Sequence, residues 1–387
     1  MAPLTWIIRN AGLVDEETTR ACASLLSKHL PRIQNLVIDS PQLAGEVIIH
    51  PSSTQLASLK RLSLNTSPGP LVAELLHAPN LEHVYLTSIF HCGTRFFPCL
   101  RTIYANIYAR AFYEIILQSP KLEGMTVNVL ATRVEDWSDP TIPPLIFNLP
   151  LSLPFLTTLS VCWSGCDIAI DLMPDMPALQ QVDLNHYPSW AAADSELEAI
   201  GKFFRKLPSS VHHLCYSFYL VPSPNHYERT CQMFFESTQA LINIRKLVFG
   251  GASPNVAITF LPFLNMFFST STFSSVTRLA IHGSYCCSPE ELDSLYLSDI
   301  TQSWFSLRPG DESHEILDID IYPVIVGKAF LVISDLSSKW DVCSSGKVPL
   351  RVNFYDNEKL PVRTTNTFPY IFELDPHVDA ETPLYCR

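Results

Sequence analysis

The chain has 387 residues, of which 47% are hydrophobic and 17% charged, with a net charge of −12. That is ample material for a large core and too apolar a composition for extended disorder. The acidic balance, with no run of five or more Lys/Arg, disfavours a nucleic-acid partner or a membrane-surface patch. No apolar stretch reaches the roughly 20 residues needed to cross a bilayer, since Ile258–Phe268 contains Pro262 and Asn265, and Val324–Ile333 contains Gly327 and Lys328. The 11 cysteines are dispersed and read as reduced thiols behaving as small hydrophobes. These features point to an intracellular protein, cytoplasmic or nuclear.

In chain order, Trp6-Ile7-Ile8 is too short for a signal-peptide core, and Asp15 to Lys28 read as a helix. A recurring unit, Leu-x-x-Leu-x-Leu with other apolar residues substituting, then begins at Ile33-Leu36-Ile38. It continues at Leu59-Leu62-Leu64, Leu81-Val84-Leu86, Leu100-Ile103-Ala105, Leu122-Met125-Val127, Leu156-Leu159-Val161 and Leu179-Val182-Leu184. Weaker copies follow at Val211-Leu214-Tyr216, Ile244-Leu247-Phe249, Val276-Leu279-Ile281 and Ile316-Ile319-Ile321. The first seven copies start 26, 22, 19, 22, 34 and 23 residues apart, mostly the period of leucine-rich repeats. Later copies lie 32–40 residues apart, which implies insertions. Six copies carry a proline two residues before the first apolar position: Pro31, Pro79, Pro98, Pro120, Pro154 and Pro177. Each proline is expected to end the preceding helix and start an extended segment.

With the first apolar residue of a unit as position 1, positions 4 and 6 face a core and positions 3, 5 and 7 face away. Helices are expected between strands, at Ala111–Gln118, from a capping box at Ser195-x-x-Glu198, and from a second at Ser288 with Pro289 and Glu291. The fold expected is α/β, an irregular leucine-rich-repeat solenoid over residues 1–345 with a parallel sheet on its concave face and helices outside. Residues 346–387 are expected to form a C-terminal cap and a loose acidic tail. An Asn or Cys three residues after the last strand leucine, the usual ladder of such repeats, is absent from the first four copies, where Pro41, Ser67, Ile89 and Tyr108 stand.

Ala78-Pro79-Asn80-Leu81-Glu82-His83-Val84-Tyr85-Leu86 and Ser119-Pro120-Lys121-Leu122-Glu123 resemble the repeats of fungal F-box/leucine-rich-repeat proteins, over roughly residues 20–330. The resemblance implies a substrate-recognition region of a cullin-type ubiquitin ligase, whose three-helix F-box docks on an adaptor while the repeats hold the substrate. A first repeat strand at Ile33 leaves too little chain for three helices. Adaptor binding would therefore need an F-box supplied upstream. A repeat scaffold unconnected with ubiquitin is the alternative.

No Gly-x-Ser-x-Gly, His-Glu-x-x-His, Gly-x-Gly-x-x-Gly or phosphate-loop motif occurs, so neither enzyme chemistry nor a cofactor is expected. Cys162-x-x-x-Cys166 fits neither a redox pair nor a zinc site; His186 and His213 are imaginable partners, but no metal is expected. Cys286-Cys287 reads as a turn, and His212-His213 as adjacent strand residues facing opposite ways. The expected function is protein binding on the concave face, through Arg61, His83, Tyr85, Tyr104, Asn106, Asp183, Asn185, Lys246, Arg278 and His282. Tyr85 and Tyr104, at position 5 of neighbouring units, are expected to lie side by side as an aromatic platform.

Overall fold

A computed structural model describes residues 4–9, 16–39, 56–64, 75–76, 78–90, 98–130, 152–164, 173–187, 193–219, 226–252, 261–270, 272–283, 317–323 and 350–354. Their strands form one 13-stranded sheet in which spatial order follows chain order. Every described ladder is parallel. Each strand therefore pairs only with its predecessor and successor, the connectivity of a solenoid.

The strands are β1 (Leu4–Arg9), β2 (Ile33–Asp39), β3 (Arg61–Leu64), β4 (His83–Phe90), β5 (Thr102–Tyr108), β6 (Gly124–Leu130) and β7 (Thr158–Ser164). They continue as β8 (Gln181–Tyr187), β9 (His213–Tyr219), β10 (Lys246–Ala252), β11 (Arg278–Gly283), β12 (Leu317–Pro323) and β13 (Leu350–Phe354). All eleven units read from the sequence carry a strand. Positions 4 and 6 of β2 to β11, from Leu36 and Ile38 to Leu279 and Ile281, are buried. Position 8 joins them with Ile107, Val129, Trp163, His186 and Phe218.

Helices cover that face: α1 (Glu16–His29), α2 (Ala109–Gln118), α3 (Ala193–Lys206), α4 (His226–Ser237) and α5 (Leu261–Ser269). Helix α3 packs on α4, and α4 on α5. Phe112 of α2 meets Trp163 edge-on, Phe204 of α3 meets Tyr216, and Phe263 of α5 stacks on Phe249 at 4.0 Å. Helix α3 begins two residues before Ser195, so Ser195 lies in its first turn and is not the expected cap. Glu196 in that turn is drawn inward to His186, as described below. The helix expected from Ser288 lies outside the described residues.

Two strands were not placed by the repeat pattern. In β1, Trp6 pairs with Leu36 and Ile8 with Ile38, so they occupy positions 4 and 6 without a leucine consensus. Strand β13 pairs with β12, Val352 beside Ile319 and Phe354 beside Ile321. The sheet thus runs into the segment assigned to the cap.

The recurrent prolines do more than break helices. The amide of position 1 donates to the carbonyl of position −2, as in Leu81 to Ala78, Leu122 to Ser119, Leu156 to Leu153 and Leu179 to Met176. Pro79, Pro120, Pro154 and Pro177 are the second residue of these turns. There a fixed φ is favourable and no amide hydrogen is needed. Pro31 has the same place, with Ile33 donating to Leu30.

A second repeated device ties each unit to the one before it. The amides of positions 2 and 3 both donate to the position-2 carbonyl of the preceding unit: Glu82 and His83 to Lys60, Arg101 and Thr102 to Glu82, Gln180 and Gln181 to Thr157. Side chains at position 0 add a third link. Asn80 donates to the Ala57 carbonyl, Asn243 to Ser209, Ser58 to Pro31 and Ser210 to Leu179. The polar ladder missing after the strand is present before it.

Candidate functional site

Positions 3, 5 and 7 form the face opposite the helices, and parallel pairing aligns them in rows about 4.8 Å apart from strand to strand. The first group of polar side chains lies on β3 to β5. Tyr85 pairs directly with Tyr104, and their rings stack with centroids 4.5 Å apart and planes inclined by 16°. His83 Nδ1 lies 2.7 Å from Thr102 Oγ1. Burial, and then the positive charge of Arg61, hold the His83 imidazole below its usual pKa. At neutral pH the ring beside the tyrosines is therefore uncharged. Arg61 is exposed at the same level.

Counted from Leu81 and Leu100, Thr87 and Asn106 both stand at position 7. A register shift after Leu86 places Asn106 opposite Ile89 instead. Its amide donates to the Thr87 carbonyl, a group that the irregularity removes from the regular ladder. Asn106 is half-buried, and its side chain serves the backbone.

Below the tyrosines, position 2 carries alternating charge. Lys60 pairs with Glu82 at 2.8 Å, and the Arg101 guanidinium binds Glu123. The Lys60 hydrogen bond keeps the Glu82 carboxyl below its usual range. This rail went unread in the sequence, although Lys60, Glu82, Arg101 and Glu123 alternate in sign at one position of four successive units.

The second group lies on β8 to β11. Gln181, His213, Lys246 and Arg278 share the position-3 row, and Asp183 pairs with Cys215 at position 5. The Asp183 side chain is only 15% exposed and lies 3.8 Å from His213 Nε2. Gln181 Nε2 donates to it at 3.2 Å. Desolvation pushes its carboxyl up to about 6, against the Gln181 hydrogen bond and the Lys246 charge. Asn185 is 4% exposed, so it is no open contact surface, contrary to expectation. Ser160, Cys215 and Ser217 are likewise buried; short side chains in a closely spaced row sit below longer neighbours. His282 lies in register between Gly250 and Tyr322. The ten expected residues thus form two groups, separated by β6 and β7.

His186 and His213 do not converge on Cys162. His186 points to the helices, where its Nε2 lies 2.8 Å from Glu196 Oε2 with both side chains almost fully buried; His213 is on the opposite face. Among the described residues no three His, Cys, Asp or Glu side chains form a metal-binding group. Cys22, Cys99, Cys215 and Cys231 form no disulfide among the described residues. Burial raises the pKa of Cys215 and pushes Cys231 up to about 12, so both stay protonated. Cys166, Cys286 and Cys287 lie outside the described residues. No described helix is long and apolar enough to cross a membrane.

No protein-family model matches the chain, and no curated protein does. Function therefore rests on the geometry of this face.

Proposed function

We propose that the chain is an irregular leucine-rich-repeat solenoid that binds another protein on the polar face of its sheet, without catalysing a reaction. The observation that carries this reading is the Tyr85–Tyr104 stack. These two large half-buried aromatic rings lie on the face away from the core and outside its cluster of buried residues. They match the anatomy of an interface hot spot, an aromatic centre with a polar surround. His83, Arg61 and Thr102 supply that surround. A role as the substrate-recognition part of an F-box-type ubiquitin ligase is the narrower form of the proposal. Leu4–Arg9 and Ile33–Asp39 are strands of this sheet and Glu16–His29 is a helix beside it, so these residues belong to the repeat sheet and not to a three-helix module. An intracellular setting, cytoplasmic or nuclear, belongs to the same reading.

Replacing Tyr85 and Tyr104 together by alanine is expected to weaken partner binding by about 2 kcal/mol or more, by analogy with interface alanine scans, while leaving the melting temperature nearly unchanged. The measurement is recovery of partners on immobilised wild-type and double-variant protein, beside thermal melts. Equal recovery with equal melting would remove the platform from the proposal. For the narrower form, the purified chain alone is expected not to co-elute with the F-box adaptor.

A further inference from the structure

Asp183 and Asn185 follow one another on the polar face of β8, and their surroundings leave both short of donors. A carboxylate offers about four acceptor sites. Among the described residues Asp183 receives one hydrogen bond, from Gln181; His213 stands at 3.8 Å, beyond hydrogen-bond reach, and the charge of Lys246 also bears on the carboxylate. Asn185 Oδ1 is shielded from solvent and has no partner among the described residues. Buried acceptors are ordinarily satisfied, because desolvation without a donor is costly.

The residues in register on both sides are short: Ser160 and Cys162 on β7, Cys215 and Ser217 on β9. The two acceptors therefore lie in a low part of the face, flanked by a hydroxyl and a thiol on each side. A neutral donor would answer Asn185 alone. A cation would answer both acceptors and offset the buried negative charge. A guanidinium fits better than an ammonium, since its planar fork of five donors can serve two acceptors about two residues apart on one strand.

We propose that Asp183 and Asn185 form a recess for an arginine side chain of the protein bound on this face, which rests on the protein-binding reading above. Three strand steps separate β5 from β8, about 14 Å at the spacing of a parallel sheet. An extended segment covers that distance in roughly four residues. The bound protein then presents its arginine about four residues from the group that stacks on Tyr85 and Tyr104.

The test uses the full chain and a fluorescent octapeptide of alternating glycine and arginine, at physiological ionic strength. The arginine peptide is expected to bind saturably, with citrulline and lysine counterparts weaker by about tenfold or more. Asp183→Asn is expected to weaken arginine-peptide binding about tenfold and to melt no lower than wild type. Asp39→Asn, a carboxylate at position 7 of β2, should leave binding unchanged. Undiminished binding by Asp183→Asn, an equal loss in Asp39→Asn, or equal affinity for the lysine peptide would overturn the recess. If the recess fails while the double tyrosine variant still loses its partners, the platform stands; the reverse outcome separates the two as clearly.

Discussion

Asp183 and His186 are three residues apart on one strand, and their environments differ because the strand alternates faces. His186, at position 8, finds Glu196 in the first turn of α3 and forms a buried pair that ties helix to sheet. Asp183, at position 5, finds Gln181 alone within hydrogen-bond distance among the described residues and keeps a desolvated carboxyl raised from 3.8 to about 6. Because the folded state holds this proton more tightly than the unfolded chain, Asp183 favours folding below about pH 4. That contribution is lost as the pH rises through about 6. The penalty above that range is on the order of 2–3 kcal/mol. Asp183→Asn is therefore expected to stabilise the protein by about 1–3 kcal/mol near pH 7.5, with variant and wild type converging near pH 4. Urea unfolding across that interval measures it, and a variant less stable at every pH would assign Asp183 a structural role.

Among the elements, the strands were legible and the helices only partly so. Strand positions followed from a two-residue alternation that recurs with the Leu-x-x-Leu-x-Leu unit, and the structure places a strand at each of the eleven. Strand β1 escaped because Trp6 and Ile8 fill positions 4 and 6 without leucines. Helix α4 escaped because its buried side includes His226, Tyr227, Thr230, Cys231 and Ser237, which blur an apolar stripe. Helix α5 is apolar along almost its whole length and shows no amphipathic stripe in the sequence; Pro262 is in its first turn, where no amide donor is required. The polar face was readable residue by residue, yet not the shift that moves Asn106 or the burial of Asn185. Both depend on neighbouring strands. The contact between α3 and α4 illustrates the same limit. Gly201 in the middle of α3 would ordinarily gain helix stability on change to alanine. A methyl group there would stand 2.9 Å from Ser237 Oγ and 3.3 Å from Met233 Cγ on α4, and Ser237 is held by Arg205 at 3.1 Å. Overpacking should win: Gly201→Ala is expected to cost about 1–3 kcal/mol, measured by chemical denaturation. A gain would show that α4 yields freely.

Across the whole molecule the core changes character along the chain. Units around β2 to β6 are filled chiefly by Leu, Ile and Val, each touching its immediate neighbours. From α3 onward the aromatic rings form one connected cluster. Phe234 of α4 contacts Phe204, Tyr216, Phe235, Phe249, Phe263 and Phe273, bridging α3, β9, β10 and α5. In a stacked architecture stability is the sum of what each unit holds and what it shares with the next. A ring that touches several units contributes mostly to the shared part. Units β9 to β11 should therefore behave as one cooperative block, and the leucine-filled strands before them should open more independently. Native-state hydrogen exchange is expected to show near-uniform, highest protection across β9, β10 and β11, with graded protection toward β2. Phe234→Ala is expected to cost about 3–5 kcal/mol. Its effect should not be uniform: protection should fall together in β9 to β11 and change little in β2 to β5, so that the variant unfolds in two steps. The tyrosine platform on β4 and β5 lies outside that block and should keep its partner affinity at temperatures where the C-terminal units have begun to open. Equal loss of protection in every strand, with a single unfolding transition, would mean that cooperativity runs the full length of the sheet and that the aromatic cluster is no separate unit.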